Sequence, residues 1–450
     1  MLADQRAAPA RMRWRVCLLD AGPLALAGAV ANGGSVVVTV ALARLLVARD
    51  YGALNQLIGV FFVVSTPGSA VLVGVVRRVT RWMGDLDAVA RWGAALHRRA
   101  MLALVAFGGT VVAVGPQLAR LLGRSDTLGV DAIAIAGAVW VLLCIDRGLL
   151  QAHRSYRTLS ANLLLEGGAR TALMVAAGAA GLGVSGVAAG VLVAELCTAL
   201  HARVVADRVW RPEGDSAPSF VRSARPGRCG APGARRTAAW RARHDFGHDR
   251  LVRRDLLAAV LALTAIAVLQ YVDVIAMARA APRAAGAYAA VSVSSKALVF
   301  VAVVVAGYLL PEAAISWRAG GHALGQLSVS LAILAVPAAV LVTVAAAVPR
   351  QFLASAFTTR YVSASGAFLP LALAMVCLSA TVMVTMYLLG VGDRWFSAAL
   401  AGAAVLATLA VVAAGGSPRS TALADVGVQA ALLCAGAAEL ARVHRRRVTG

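Results

Sequence analysis

The sequence predicts an all-α polytopic membrane protein with about 12 transmembrane helices in two pseudo-symmetric six-helix lobes. Of its 450 residues, 60% are hydrophobic and only 14% are charged, and the mean hydropathy is +0.78. Soluble proteins carry about 25% charged residues, so the composition excludes a soluble enzyme, a disordered tail and a fibrous protein. The apolar stretches are continuous and do not alternate with polar residues, which predicts helices and not barrel strands.

Twelve stretches are long and apolar enough to cross a bilayer, which requires roughly 20 residues. The fourth is the weakest, because acidic residues lie near both of its ends. The predicted spans are Ala21–Ala43, Leu54–Val76, Ala100–Leu118, Leu128–Ile145, Ala161–Leu182, Val184–Val205, Leu256–Ala278, Ala287–Leu310, Leu327–Val348, Ala367–Leu389, Trp395–Ala414 and Ala422–Ala441.

The basic residues predict the orientation of these spans, because cytoplasmic segments are enriched in Lys and Arg. With the N-terminus inside, the inside segments hold 32 Arg and the outside loops hold nine. We therefore expect a multi-pass protein of the bacterial cytoplasmic membrane with both termini cytoplasmic. The six cysteines show no CxxC spacing, so neither a disulfide framework nor a zinc site is predicted.

The chain divides into an N-terminal lobe at 1–207, a basic linker at 208–254 and a C-terminal lobe at 255–450. The linker is rich in Arg, Gly, Pro and Ser, and we expect it to be mostly disordered and close to anionic headgroups, not bound to nucleic acid. The lobes repeat weakly: the stretch RDYGAL from Arg49 matches RAAGAY from Arg283, 234 residues later. Repeats in the same orientation are typical of transporters with a midplane site between the halves.

Four stretches resemble polysaccharide-repeat flippases of the O-antigen type, which belong to the multidrug/oligosaccharidyl-lipid/polysaccharide (MOP) exporter superfamily and have a MATE-like fold. Their order and spacing are specific, and the likeness covers nearly the whole chain except the linker. The four stretches are Ala41–Phe62, Arg147–Arg170, Leu269–Ala314 and Arg360–Met375.

The resemblance implies a flippase that moves polyprenyl-pyrophosphate-linked oligosaccharide across the membrane by alternating access, for polysaccharide or cell-envelope biosynthesis. It implies membrane lipids as surroundings, and glycosyltransferases and a glycan polymerase as candidate partners. The chain has no phosphate-binding GxxxxGK[ST] loop, and we expect no cofactor, no metal and no enzymatic activity. The driving force would then be an ion gradient or the membrane potential.

Ionisable residues within spans are costly and commonly mark a cavity or a buried partner. The fifth span carries Asn162, Glu166 and Arg170 at intervals of four, and the sixth carries Glu195. Arg170 can be a structural ion-pair partner of these glutamates, or a cation in the cavity that binds the pyrophosphate or the sugar. Both interpretations fit the spacing.

The second candidate group lies in spans seven and eight. Lys296 is the only lysine of the chain, and Gln270 and Asp273 lie on span seven. Counting residues places Asp273 and Lys296 at depths that differ by about 10 Å, which argues against a direct pair. We therefore predict Lys296 as a second cation for the lipid pyrophosphate, and a structural pair of Lys296 with Asp273 inside the second half is the alternative.

Two other functions remain open. A drug or small-molecule exporter of the same superfamily would have net neutral or acidic cavities for cationic substrates. A membrane-embedded glycosyltransferase would need acidic catalytic residues on a sizeable outer loop, and the outer loops here are short.

Overall fold

The computed structural model describes residues 37–81, 86–153, 155–210, 234–318 and 324–448, with a few positions before residue 37. Every regular element in these ranges is a helix, which confirms the all-α prediction. Ten segments within the described residues are long and apolar enough to cross a membrane, so the chain is a multi-pass membrane protein.

The helices of the first half form the N-terminal set. The second predicted span is broken at Thr66, because Pro67 has no amide hydrogen to continue the helix. The helices are α1 (described over 37–45), α2 (Ala48–Ser65), α3 (Pro67–Arg81), α4 (Leu86–Leu121), α5 (Leu128–Ala152), α6 (Tyr156–Ala179) and α7 (Gly183–Trp210).

The helices of the second half form the C-terminal set. A short helix and a 3-10 helix precede the tenth predicted span, and neither was predicted from the sequence. The elements are α8 (Ala234–Ala280), α9 (Pro282–Arg318), α10 (Leu324–Ala347), α11 (Pro349–Ala356), the 3-10 helix η1 (Thr359–Ala367), α12 (Phe368–Val391), α13 (Trp395–Ala413) and α14 (Pro418–Val448).

Two of the twelve predicted spans are not among the ten. The first predicted span, Ala21–Ala43, lies mostly outside the described residues. The fifth corresponds to α6, a helix of 24 residues whose charged side chains lower its hydropathy. Together with α6, the described helices are consistent with a total near twelve, and the first span stays a prediction.

Helix α2 contacts both helix sets. It packs against α5 in its own set and against α8 and α9 in the other. Within the N-terminal set α5 packs on α7, and within the C-terminal set α9 packs on α12 and α12 on α14. One continuous buried cluster includes side chains from both sets, so α2 is the main seam between them.

The predicted linker at 208–254 differs from expectation at both ends. Helix α7 continues to Trp210, and α8 begins at Ala234, so 234–254 is helical where we expected disorder. The reason is that this stretch is rich in Ala and Arg, which have high helix propensity, and the following span supplies a nucleus from which a helix extends at little cost. Residues 211–233 lie outside the described residues.

Candidate functional site

The four polar residues predicted in the N-terminal set come together in one network. Spacing by four places Asn162, Glu166 and Arg170 on one face of α6. The Arg170 guanidinium donates to Glu166 on the same helix and to Glu195 on α7. Glu195 is fully buried, and the side chain of Arg170 is 21% exposed.

Sequence reasoning missed a further member of this network, Arg147 on α5. Its Nη2 lies 2.6 Å from Glu166 Oε2, and its Nε donates to Asn162 Oδ1 at 2.8 Å. The fourth span was predicted to end at Ile145, which placed Arg147 in a cytoplasmic loop, whereas α5 continues to Ala152. The available signal was Glu166 itself, because a glutamate inside a span needs cationic partners and can accept from two of them.

The network is balanced in charge, because Arg147 and Arg170 face Glu166 and Glu195. Its amide member is also satisfied: Asn162 Nδ2 donates to Thr198 O at 3.0 Å. A balanced and hydrogen-bonded set of buried charges holds α5, α6 and α7 in one arrangement, since removing one partner strands the others.

The C-terminal set contains a second cluster around Asp273 on α8. Lys296 Nζ on α9 lies 3.1 Å from Asp273 Oδ1, and Tyr288 and Ser292 donate to Asp273 Oδ2 at 3.1 and 3.2 Å. Lys296 is only 3% exposed. The cation predicted for the substrate is therefore paired inside its own helix set.

The depth estimate that disfavoured this pair is wrong. It compared Cα positions, but a lysine side chain on a helix points back towards the N-terminus of that helix. Helix α9 begins at Pro282, beside the end of α8, so this direction brings the ammonium of Lys296 up to Asp273. A flexible four-carbon stem is long enough to cover much of the difference.

Two residues of α14 complete the second cluster and were not predicted. Gln429 Nε2 donates to Asp425 Oδ1 at 3.3 Å and to Leu269 O at 3.4 Å. Asp425 is fully buried, and its Oδ2 has no hydrogen-bond partner among the described residues. The predicted residue Gln270 is 7% exposed, and within the same ranges its Nε2 has none either.

Aromatic rings connect the two clusters across α2 and α8. The Arg170 guanidinium lies 5.2 Å from the ring centre of Phe61, and Phe61 contacts Phe62 at 5.4 Å. Phe62 stacks on Tyr271 at 4.8 Å with 5° between the planes, and Lys296 lies 4.7 Å from the Tyr271 ring centre. The predicted site residues thus form two clusters joined at the seam by three aromatic rings in contact.

Neither a protein-family model nor a curated protein matches this sequence, but solved structures match nearly all of it. The lipid II flippase MurJ in an inward closed conformation matches with a TM-score of 0.65 at 12% identity, over 93% of this chain and 87% of that one. An inward-facing multidrug resistance MATE family transporter of the MOP superfamily matches with 0.58 at 14%, over 92% and 95%.

The chain has the MOP transporter fold. An outward-facing multidrug resistance MATE family transporter also matches, with a TM-score of 0.53 at 14% identity over 95% of this chain and 96% of that one. The score is higher for the inward-facing transporter than for the outward-facing one, although both share 14% identity with this chain. All three similar proteins are transporters or flippases, and the membership of the O-antigen flippase family that the sequence suggested stays a prediction.

Proposed function

We propose that this protein is a flippase that translocates polyprenyl-pyrophosphate-linked oligosaccharide across the cytoplasmic membrane by alternating access. The observation that carries the proposal is the match to a lipid II flippase, which has a higher TM-score than the matches to the multidrug transporters. In this proposed role the protein acts after glycosyltransferases that build the glycan inside and before a polymerase that uses it outside, and both of its termini are cytoplasmic.

The contact with the pyrophosphate is assigned to Arg170. Its side chain is 21% exposed and lies over Phe61 at the seam between the helix sets. A guanidinium can bind a phosphate bidentately, so an entering pyrophosphate would compete with Glu166 and Glu195 for the same donors. Lys296 is less suited, because it is almost fully buried against Asp273.

A second candidate function is the export of cationic small molecules. The charges of the two clusters favour it: the first cluster is balanced, and the second has two carboxylates, Asp273 and Asp425, for one ammonium, Lys296. A net acidic seam would attract cations, whereas a pyrophosphate carrier needs at least one cation free to exchange its partner.

One preparation can test both functions. Purified protein is reconstituted in liposomes with a fluorescent polyprenyl diphosphate disaccharide, and movement between leaflets is followed by quenching with dithionite. We expect transfer by the wild type, and about tenfold slower transfer by Arg170→Gln, as expected for the loss of one charge-assisted hydrogen bond. The rates are compared at equal amounts of folded protein, checked by size-exclusion chromatography, because this variant also leaves Glu195 without its cation. The matched control is Arg157→Gln, an exposed arginine near the start of the same helix.

The same liposomes are then loaded with a fluorescent lipophilic cation. Efflux of the cation without movement of the labelled lipid would contradict the flippase function and support export of cationic small molecules. Equal lipid transfer by Arg170→Gln and the wild type would remove Arg170 from the substrate site.

A further inference from the structure

The two glycines at equivalent positions of the sequence repeat meet in the structure. Gly52 on α2 and Gly286 on α9 are 234 residues apart, and each is the fifth residue of its helix. A Cβ added to Gly52 would lie 2.7 Å from Gly286 N. A Cβ added to Gly286 would come closer still to the carbonyl oxygen of Ala48.

This contact fixes the position of the axis that relates the repeats. A residue can touch its own symmetry equivalent only if both lie next to the axis. The first turns of α2 and α9 therefore cross on the axis, with backbone against backbone. In the predicted orientation this crossing lies at the outer end of the seam, because α1 ends and α2 begins there.

A second set of contacts holds the same end closed. Arg360 of η1 donates to three carbonyl groups at the end of α1, those of Ala43 at 3.1 Å, Arg44 at 3.2 Å and Leu46 at 3.2 Å. The next residue, Tyr361, donates its hydroxyl to Ala43 O at 2.6 Å. Carbonyls at a helix C-terminus have no partner within the helix, so a cation there is favourable.

The next turn of α2 adds a third tie. Gln56 is buried, and its Nε2 donates to Leu122 O at 3.0 Å and to Ile275 O at 3.2 Å. Ile275 belongs to α8 of the other helix set, and its side chain lies against Gly59. The outer end is thus joined by a glycine crossing, an arginine–tyrosine clamp and a glutamine bridge.

We propose that these contacts form the outer gate of the transporter. The Gly52–Gly286 crossing closes the gate, because only two residues without side chains allow the helices to approach this closely. The Arg360–Tyr361 clamp latches it by holding α1 to the opposite helix set. The proposal rests on the proposed function only in assuming alternating access, and no part of it depends on the substrate.

The gate predicts which substitutions open the outer end. A methyl group at Gly286 forces the two backbones apart by about 1 Å, because packed helices have no spare volume at a contact. The separation also breaks the short bridge from Gln56 to α8. Removing the guanidinium of Arg360, an exposed side chain, releases the latch without disturbing the core.

The test uses Ile275→Cys as a reporter beneath the gate, and a membrane-impermeant maleimide applied to intact cells. The parent chain without this substitution gives the background from the native cysteines. We expect Gly286→Ala to raise the labelling rate of the reporter about tenfold, which corresponds to a shift of about 1.4 kcal/mol, and Arg360→Gln to raise it less. Gly402→Ala is the matched control, because nothing lies within 4 Å of a Cβ at Gly402.

Labelling of Gly286→Ala at the rate of Gly402→Ala, with protein in the membrane at parent level, would overturn the crossing as a gate. If Gly286→Ala fails to accumulate, Arg360→Gln decides: unchanged labelling would overturn the latch and with it the proposal. Fast labelling of the Ile275→Cys chain that carries no gate substitution would also overturn the proposal. Because labelling requires no transport, this experiment tests the gate independently of the liposome assay, which tests the proposed function.

Discussion

The two buried clusters differ in how their charges balance. In the N-terminal set, Arg147 and Arg170 match Glu166 and Glu195, so every charge has an opposite partner. In the C-terminal set, Lys296 pairs with Asp273, and Asp425 accepts a hydrogen bond from Gln429 but has no ion pair among the described residues. The comparison indicates that the first cluster is balanced in charge, whereas the second has one carboxylate, Asp425, more than it has cations.

The largest effect should come from breaking the balanced cluster. We expect Arg147→Met to lower the free energy of unfolding by about 3–5 kcal/mol, because Glu166 and Glu195 would then share one cation in a buried site. The measurement is the melting temperature in detergent, followed by size-exclusion chromatography of heated samples.

Two further variants sharpen this result. Arg157→Met is the control at an exposed site, and it should melt with the wild type. The double variant Arg147→Met with Glu166→Gln leaves one arginine and one glutamate, so the charges balance again. It should recover a good part of the lost free energy of unfolding. If Arg147→Met alone melts with the wild type, the cluster does not stabilise the helix set.

The second cluster should respond less to the loss of its cation. Replacing Lys296 with Met leaves Asp273 with Tyr288 and Ser292 as donors, so we expect a loss of about 2–3 kcal/mol. Adding Asp273→Asn should restore most of it in the same melting assay. A double variant as unstable as Lys296→Met would contradict the pairing of these two residues.

The smallest effect is expected at Asp425. Asp425→Asn keeps the shape of the side chain and removes a buried charge that lacks a cation of its own, so stability should stay within about 1 kcal/mol of the wild type or rise. Asp273→Asn is the comparison, since it removes the partner of Lys296 and should destabilise. A large loss at Asp425 would show that its carboxylate has a partner in the folded protein.

The architecture could be predicted from the sequence because each span is decided locally. A run of apolar residues must be helical in lipid, whatever lies around it. The repeat between Arg49 and Arg283 pointed to the relation between the halves, although it gave no hint that Gly52 and Gly286 would touch. That contact depends on how two distant helices cross, which composition does not determine.

The candidate site could be predicted only in part, because the direction of a charged side chain decides which opposite charge it reaches. Asn162, Glu166 and Arg170 were found since their spacing alone places them on one face. Lys296 was separated from Asp273 by counting Cα positions, which ignores the backward slope of side chains on a helix. Arg147 was missed because it lies beyond the apolar run that ended the predicted fourth span at Ile145.

Helix α8 is longer than any membrane requires. Its 47 residues make a rod of about 70 Å, and the part before Leu257, where the membrane-crossing segment begins, accounts for about 35 Å of that length. If the C-terminal set turns by about 10° during transport, the start of this helix moves by about 6 Å, as for a rigid rod. A molecule that binds there in one conformation only would therefore favour that conformation by its binding free energy.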